Sequence, residues 1–141
     1  MRNPSSEKEL AQIPGVTLLA LDTTDLQQIQ SVAEQVVGSG GVDVVFNNAG
    51  YGLGGSLEGL TDEQIQRVVN TNLLGAIRTT KAFIPHFREK RAGLFINTTS
   101  IGGLMTVPFN SIVPCDEVGA GRLEREHGLR AESIWNRDKS H

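Results

Sequence analysis

From residue 15 to residue 112 the chain alternates between short apolar runs and longer stretches with an apolar residue every three or four positions. Val16-Thr17-Leu18-Leu19-Ala20-Leu21 reads as a buried strand. Behind it, Thr24-Asp25-Leu26-Gln27 has the spacing of a capping box, and Leu26, Ile29, Val32, Ala33 and Val36 follow at helical period. The glycines between Gly38 and Gly41 stop that helix. Val42 to Phe46 is a second strand, nearly all apolar, as expected of a strand covered on both faces. Thr61-Asp62-Glu63-Gln64 repeats the capping-box spacing. It opens a long helix through Ile65, Val68, Val69, Asn72 and Ala76 towards His86, with a kink expected at Pro85. Arg91-Ala92-Gly93 ends that helix, and Leu94-Phe95-Ile96-Asn97 is the last strand. Strands alternating with helices imply βαβ units and a parallel sheet, an α/β fold.

Past Val113 this patterning lapses. Eleven of the 28 residues from Pro114 to His141 are charged, against 18 of the 113 before them. Large apolar residues there are too sparse to offset roughly 1–2 kcal/mol of backbone ordering per residue. The expected organisation is a domain over 1–112 and a mostly disordered tail over 113–141. The rest of the composition narrows the class. A net charge of −3 gives no electrostatic case for nucleic acid or an anionic membrane as partner. The single cysteine, Cys115, excludes an internal disulfide framework. No apolar run approaches a membrane span and no leader precedes the domain, so a soluble, cytoplasmic protein is expected.

Candidate chemistry gathers at strand ends. Asn47-Asn48-Ala49-Gly50 follows the second strand at its carboxyl end, where open α/β sheets place their ligands. The small Ala49 and Gly50 allow a ligand close to the backbone. Asp22 closes the first strand, and Ser100 closes Ile96-Asn97-Thr98-Thr99-Ser100 after the last. Asn72 lies on the apolar face of the long helix, in Asn70-Thr71-Asn72-Leu73-Leu74-Gly75. Gly50-Tyr51-Gly52-Leu53-Gly54-Gly55 satisfies G-x-G-x-x-G but opens no helix before Thr61, and position 70 is Asn70 rather than an acid. It is therefore a substrate-side loop, not a phosphate cradle.

Asn47-Asn48-Ala49-Gly50, Asn72 and Ser100, at these spacings, resemble the classical short-chain dehydrogenases/reductases, which use a nicotinamide cofactor to oxidise alcohols or reduce carbonyls. The resemblance covers a middle portion of that family's fold. It implies a partial Rossmann-like, doubly wound parallel sheet, without the first two strands, their Gly-rich turn and the strands after the fifth. Met1 would fall where the second strand finishes, as for a chain begun at an internal methionine. In strand order 3-2-1-4-5-6, the Val16 and Val42 strands would stand three steps apart, about 14 Å.

The resemblance also assigns roles. Asp22 would accept from the adenine amino group, and Asn48, Ala49 and Gly50 would line the nicotinamide ribose. Arg2 would pair with a 2′-phosphate, favouring NADP over NAD. Asn72 would hold a water in a proton relay, and Ser100 would hydrogen-bond the substrate oxygen. The family's catalytic Tyr and Lys should follow Ser100 at positions 113 and 117, where this chain has Val113 and Glu117. Valine has no proton to give, and a carboxylate reverses the field that would lower a phenol pKa of about 10. Tyr51, the only tyrosine, has no Lys at the required spacing. Codons for Val113 onward can be chosen so that removing one base reads Tyr-His-Ala-Thr-Lys, which makes 113–141 an expected out-of-frame tail. The expectation is thus an inactive portion of an oxidoreductase acting on a small-molecule alcohol or carbonyl. The alternative is a non-catalytic protein that associates with an intact relative, or with itself, through the long helix over 62–90.

Overall fold

A computed structural model of the chain describes residues 1–100; Val113, Glu117 and the whole expected tail over 113–141 lie outside the described residues. Helix α1 spans Leu26–Gly38. Its N-cap is Asp25, whose carboxylate accepts from the Gln27 and Gln28 amides at 2.8 and 3.1 Å. The cap thus sits one residue later than the Thr24 spacing implied. Thr24 is engaged elsewhere: its N–H and hydroxyl both donate to Asp22 Oδ1, at 2.9 and 2.7 Å. Ile29 and Ala33 form the buried stripe of α1, while Leu26, expected on that stripe, is 60% exposed.

Strand β1 is Val44–Asn47 and strand β2 is Leu94–Asn97, paired in parallel with Val45 opposite Phe95. Between them, α2 covers Asp62–Val69 and α3 covers Gly75–Lys90. The capping box of α2 closes in both directions. Gln64 N–H donates to Thr61 Oγ1 at 3.3 Å, and Thr61 N–H donates to Gln64 Oε1 at 2.9 Å. The single long helix expected from the periodicity is interrupted by a π turn over Asn70–Leu74, where Gly75 N–H reaches back five residues to the Asn70 carbonyl. The helix then runs through Pro85 to Lys90.

The core lies between α1, α3 and one face of the strand pair. Ala33, Phe83, Phe87 and Phe95 are buried together, with Val36, Val42, Val45, Ala82 and Ile84 packed around them. Phe87 and Phe95 meet with centroids 4.8 Å apart and planes tilted by 56°. Val44 and Phe46 alternate to the other face and stand 46% and 53% exposed. The expectation that this strand is covered on both faces therefore fails, because α1 and α3 supply only one layer.

The Val16 run also departs from expectation. It forms no ladder, and Val16 itself is 41% exposed. Its end is held at Met1 instead, by Leu21 N–H to the Met1 carbonyl at 2.8 Å and by the Met1 ammonium to the Leu19 carbonyl at 3.3 Å. The described sheet has two strands, β1 and β2, and outside it Leu18, Leu19 and Leu21 are only half-buried.

Candidate active site

The carboxyl ends of β1 and β2 are tied together before their loops diverge. Asn47 Nδ2 donates to Asn97 Oδ1 at 2.7 Å and to Thr80 Oγ1 on α3 at 3.0 Å. Thr98 N–H donates to the Asn47 carbonyl at 2.9 Å, and the Thr98 hydroxyl to Asn48 Oδ1 at 2.5 Å. Asn48, Ala49 and Gly50 then lie exposed along the top of the sheet. The loop is gripped again at Tyr51. Its N–H donates to Asn72 Oδ1 at 3.1 Å, while Asn72 Nδ2 donates to its carbonyl at 3.0 Å. The amide of Asn72 thereby mimics a strand's pairing to one residue. The π turn carries Asn72 to this place, and periodicity alone could not reveal it.

Two cavities adjoin this loop. Arg2, Asp22, Asn48, Ala49 and Gly50 line a cleft of about 420 Å³, with Phe46 and Thr79 in its wall. Asn72 and Ser100 line a second of about 300 Å³, again walled by Asn48, Ala49, Gly50 and Tyr51. The fold thus gathers all seven candidate residues within 1–100 around the Asn48–Gly50 loop. Val113 and Glu117 lie outside the described residues.

Asp22 titrates below the ordinary carboxylate range, first because the Thr24 amide donates to it, then because the Thr24 hydroxyl does, with a smaller contribution from the Arg2 charge. Its own N–H donates to Gln28 Oε1 at 2.9 Å, fixing the turn into α1 at the cleft wall. Gly75 brings α3 against that turn. A Cβ there would lie 2.9 Å from Thr23 Oγ1 and 3.0 Å from Thr23 Cβ. The structural roles of Thr24, Gly75 and the Asn47–Asn97 pair are not among those the motifs imply. Asp-x-Thr is a readable turn signal, whereas the other two become visible only when elements dock.

The cleft suits part of a dinucleotide. Arg2 and Asp22 offer a cation and an acceptor on one wall, and Ala49 and Gly50 offer bare backbone on the other. Thr79 Oγ1 is buried in the same lining with no protein partner among the described residues, leaving a hydroxyl for an occupant to satisfy. Among the described residues the pyrophosphate is not provided for. The α1 and α2 amino termini are closed by Asp25 and Thr61, and α3 continues directly from the π turn. The described residues hold no cluster of three or more metal-ligating side chains. Nor do they form a helix long and apolar enough to cross a membrane.

A parallel strand pair with helices between and a ligand-sized cleft at the strands' carboxyl ends is the architecture of a doubly wound α/β domain. Within that class, the profile of the short chain dehydrogenases matches residues 3–112, and the chain belongs to that family. An uncharacterised oxidoreductase of Schizosaccharomyces pombe is 39% identical over 113 residues, 79% of this chain and 48% of that protein. A 3-ketodihydrosphingosine reductase of Bacteroides thetaiotaomicron is 39% identical over 106 residues, 74% of this chain and 39% of that one. Human 17-beta-hydroxysteroid dehydrogenase type 1 is 38% identical over 106 residues, 74% of this chain and 32% of its own. Among solved structures, a short-chain dehydrogenase from Streptomyces avermitilis superposes with TM-score 0.84 at 28% identity, covering 89% of this chain and 47% of that one. ElxO with NADP bound gives TM-score 0.73 at 28% identity, over 76% and 44%. The chain therefore spans less than half the length of each of these relatives. Its partial Rossmann fold agrees with the α/β architecture expected from the sequence.

Proposed function

We propose that this chain is the central portion of an NAD(P)-dependent short-chain oxidoreductase, and that as a 141-residue protein it is catalytically silent. The observation that carries the reading is the convergence of Asp22, Asn48–Gly50, Asn72 and Ser100 on two cavities sharing one wall. Asn48, Ala49 and Gly50 take the nicotinamide ribose, Asp22 the adenine amino group and Arg2 a 2′-phosphate, which favours NADP. The bound nicotinamide supplies a hydride donor or acceptor. Ser100 orients the substrate oxygen, and Asn72 serves the proton relay while fixing the ribose-side loop through Tyr51. Val113 has no proton to give where the family's Tyr would stand, and the Glu117 carboxylate replaces the Lys ammonium whose charge would lower that phenol's pKa. The curated relatives named for a ketosphingoid and a hydroxysteroid point to a lipophilic alcohol or ketone as the substrate of the whole enzyme. A cytoplasmic location suits the single cysteine.

The test is nicotinamide absorbance in purified full chain given NADPH with lipophilic ketones, or NADP with the matching alcohols. Rates equal to those of a Ser100→Ala control are expected. Turnover that Ser100→Ala abolishes would overturn the silent reading.

A second reading rests on a shallow groove along α2 and the π turn, lined by Ile65, Val69 and Leu74 between Glu63, Arg67 and Asn70. Such an apolar stripe suits association with another copy or an intact relative. Sedimentation of the full chain with and without Ile65→Glu decides it: a concentration-dependent complex lost in the variant supports association, and a monomer in both removes it.

A further inference from the structure

The π turn that delivers Asn72 is under its own restraint. Arg78 Nη1 donates to Asn70 Oδ1 at 2.5 Å, between the first residue of the π turn and a residue one turn beyond its end. The two positions are eight apart. In a regular α-helix, residues eight apart point about 80° away from one another, whereas residues seven apart align to within about 20°. A π turn takes up one extra residue without advancing the helix by an ordinary step, so positions eight apart across it align as positions seven apart normally do. The Arg78 stem also leans towards the helix amino terminus, the direction in which Asn70 lies. This bond can therefore form in the π register and is lost in the α register.

We propose that Arg78 is a positioning residue whose bond to Asn70 locks the helix in the π register and so holds the Asn72 amide against Tyr51. Relaxation to an uninterrupted α-helix would turn the residues on either side of the insertion by about 100° relative to one another. It would break the five-residue bond from Gly75 N–H to the Asn70 carbonyl and carry Asn72 away from both polar groups of Tyr51. Close packing acts at the same place: a Cβ on Gly75 would lie 2.9 Å from Thr23 Oγ1, so Thr23 abuts the far end of the turn. The consequence for chemistry rests on Asn72 belonging to the active site. The register lock itself is read without cofactor or turnover, so the two can fail separately.

Amide hydrogen exchange of the full chain, followed by NMR, tests the lock. Arg78→Met should lower protection at the Tyr51 and Gly75 amides by about tenfold, as expected for losing a hydrogen bond to a charged donor. Phe83 and Phe87, further along α3, should keep theirs. Asn70→Ala should reproduce the same pattern, and the double variant should be no worse than either single one. Arg78→Lys, which keeps a donor on a long stem, should restore part of the protection. Unchanged Tyr51 protection in Arg78→Met overturns the proposal. So does an equal loss along the whole of α3 that Arg78→Lys does not relieve, because that is the signature of general destabilisation.

Discussion

Asp22 and Gly41 show how much rests on single residues in the turns on either side of α1. The Asp22 carboxyl titrates low because the folded chain presents two donors from Thr24, so its folded pKa lies below the unfolded value of 3.8. A group of that kind stabilises the fold at pH above the unfolded value and loses its contribution as pH falls through the folded one. Thr24→Val removes the hydroxyl but keeps the backbone donor. The Asp22 pKa should therefore rise partway towards 3.8, and carboxyl NMR titration of both proteins would reveal a variant that leaves it unmoved. Gly41 sits in left-handed backbone, φ +78°, and a Cβ there would lie 2.4 Å from His86 Cε1. His86 uses that closeness to bring Nε2 to within 3.2 Å of Val42 N and 3.1 Å of Val42 O. Gly41→Ala should cost about 1–2 kcal/mol from the backbone alone, more with the displaced ring, as measured by chemical denaturation.

At the scale of elements, local signals carried α2 and failed at its continuation. Its capping box is a side-chain and backbone exchange within four consecutive residues, so spacing suffices to find it. Thr61→Ala should destabilise the chain by about 1 kcal/mol, and an unchanged denaturation midpoint would show that this end of α2 is held by other contacts. The π turn obeys no such local rule. Asn70-Thr71-Asn72-Leu73-Leu74 is compatible with an ordinary helix, and what selects the wider turn is a set of partners elsewhere: Tyr51, Thr23 and, one turn on, Arg78. The Thr24 spacing misled by one residue for a related reason. Asp22 claims Thr24 for its own turn and leaves Asp25 to cap α1.

At the scale of the molecule, the described sheet is narrow and one-sided. Among the described residues β1 pairs with β2 on one edge and with no strand on the other, and Val44 and Phe46 are exposed. The usual guards of an edge are absent there: no Pro or Lys interrupts Val44–Asn47, and the one neighbouring acid, Asp43, is already ion-paired with Lys90. That pair lowers the Asp43 pKa through the hydrogen bond and charge of Lys90. The purified chain should therefore self-associate increasingly with concentration, and Val44→Lys should reduce that association in light scattering or sedimentation. Equal association by the two proteins would place the sticky surface elsewhere.

The strands at Phe46 and Phe95, the helices over Ile29 and Val68, and the polar turns at Asp22, Asn48 and Ser100 are all written in local order, because burial periodicity and caps act over a few residues. So is the family, whose motifs keep fixed spacing. Only the tertiary structure decided that the Val16 run carries no ladder, that Val44 and Phe46 face open space, and that Asn72 grips Tyr51 through a π turn. Each of these depends on which partner is within reach across the fold. A residue's own neighbours in the chain hold no record of which strand lies beside it or of an amide 21 positions away.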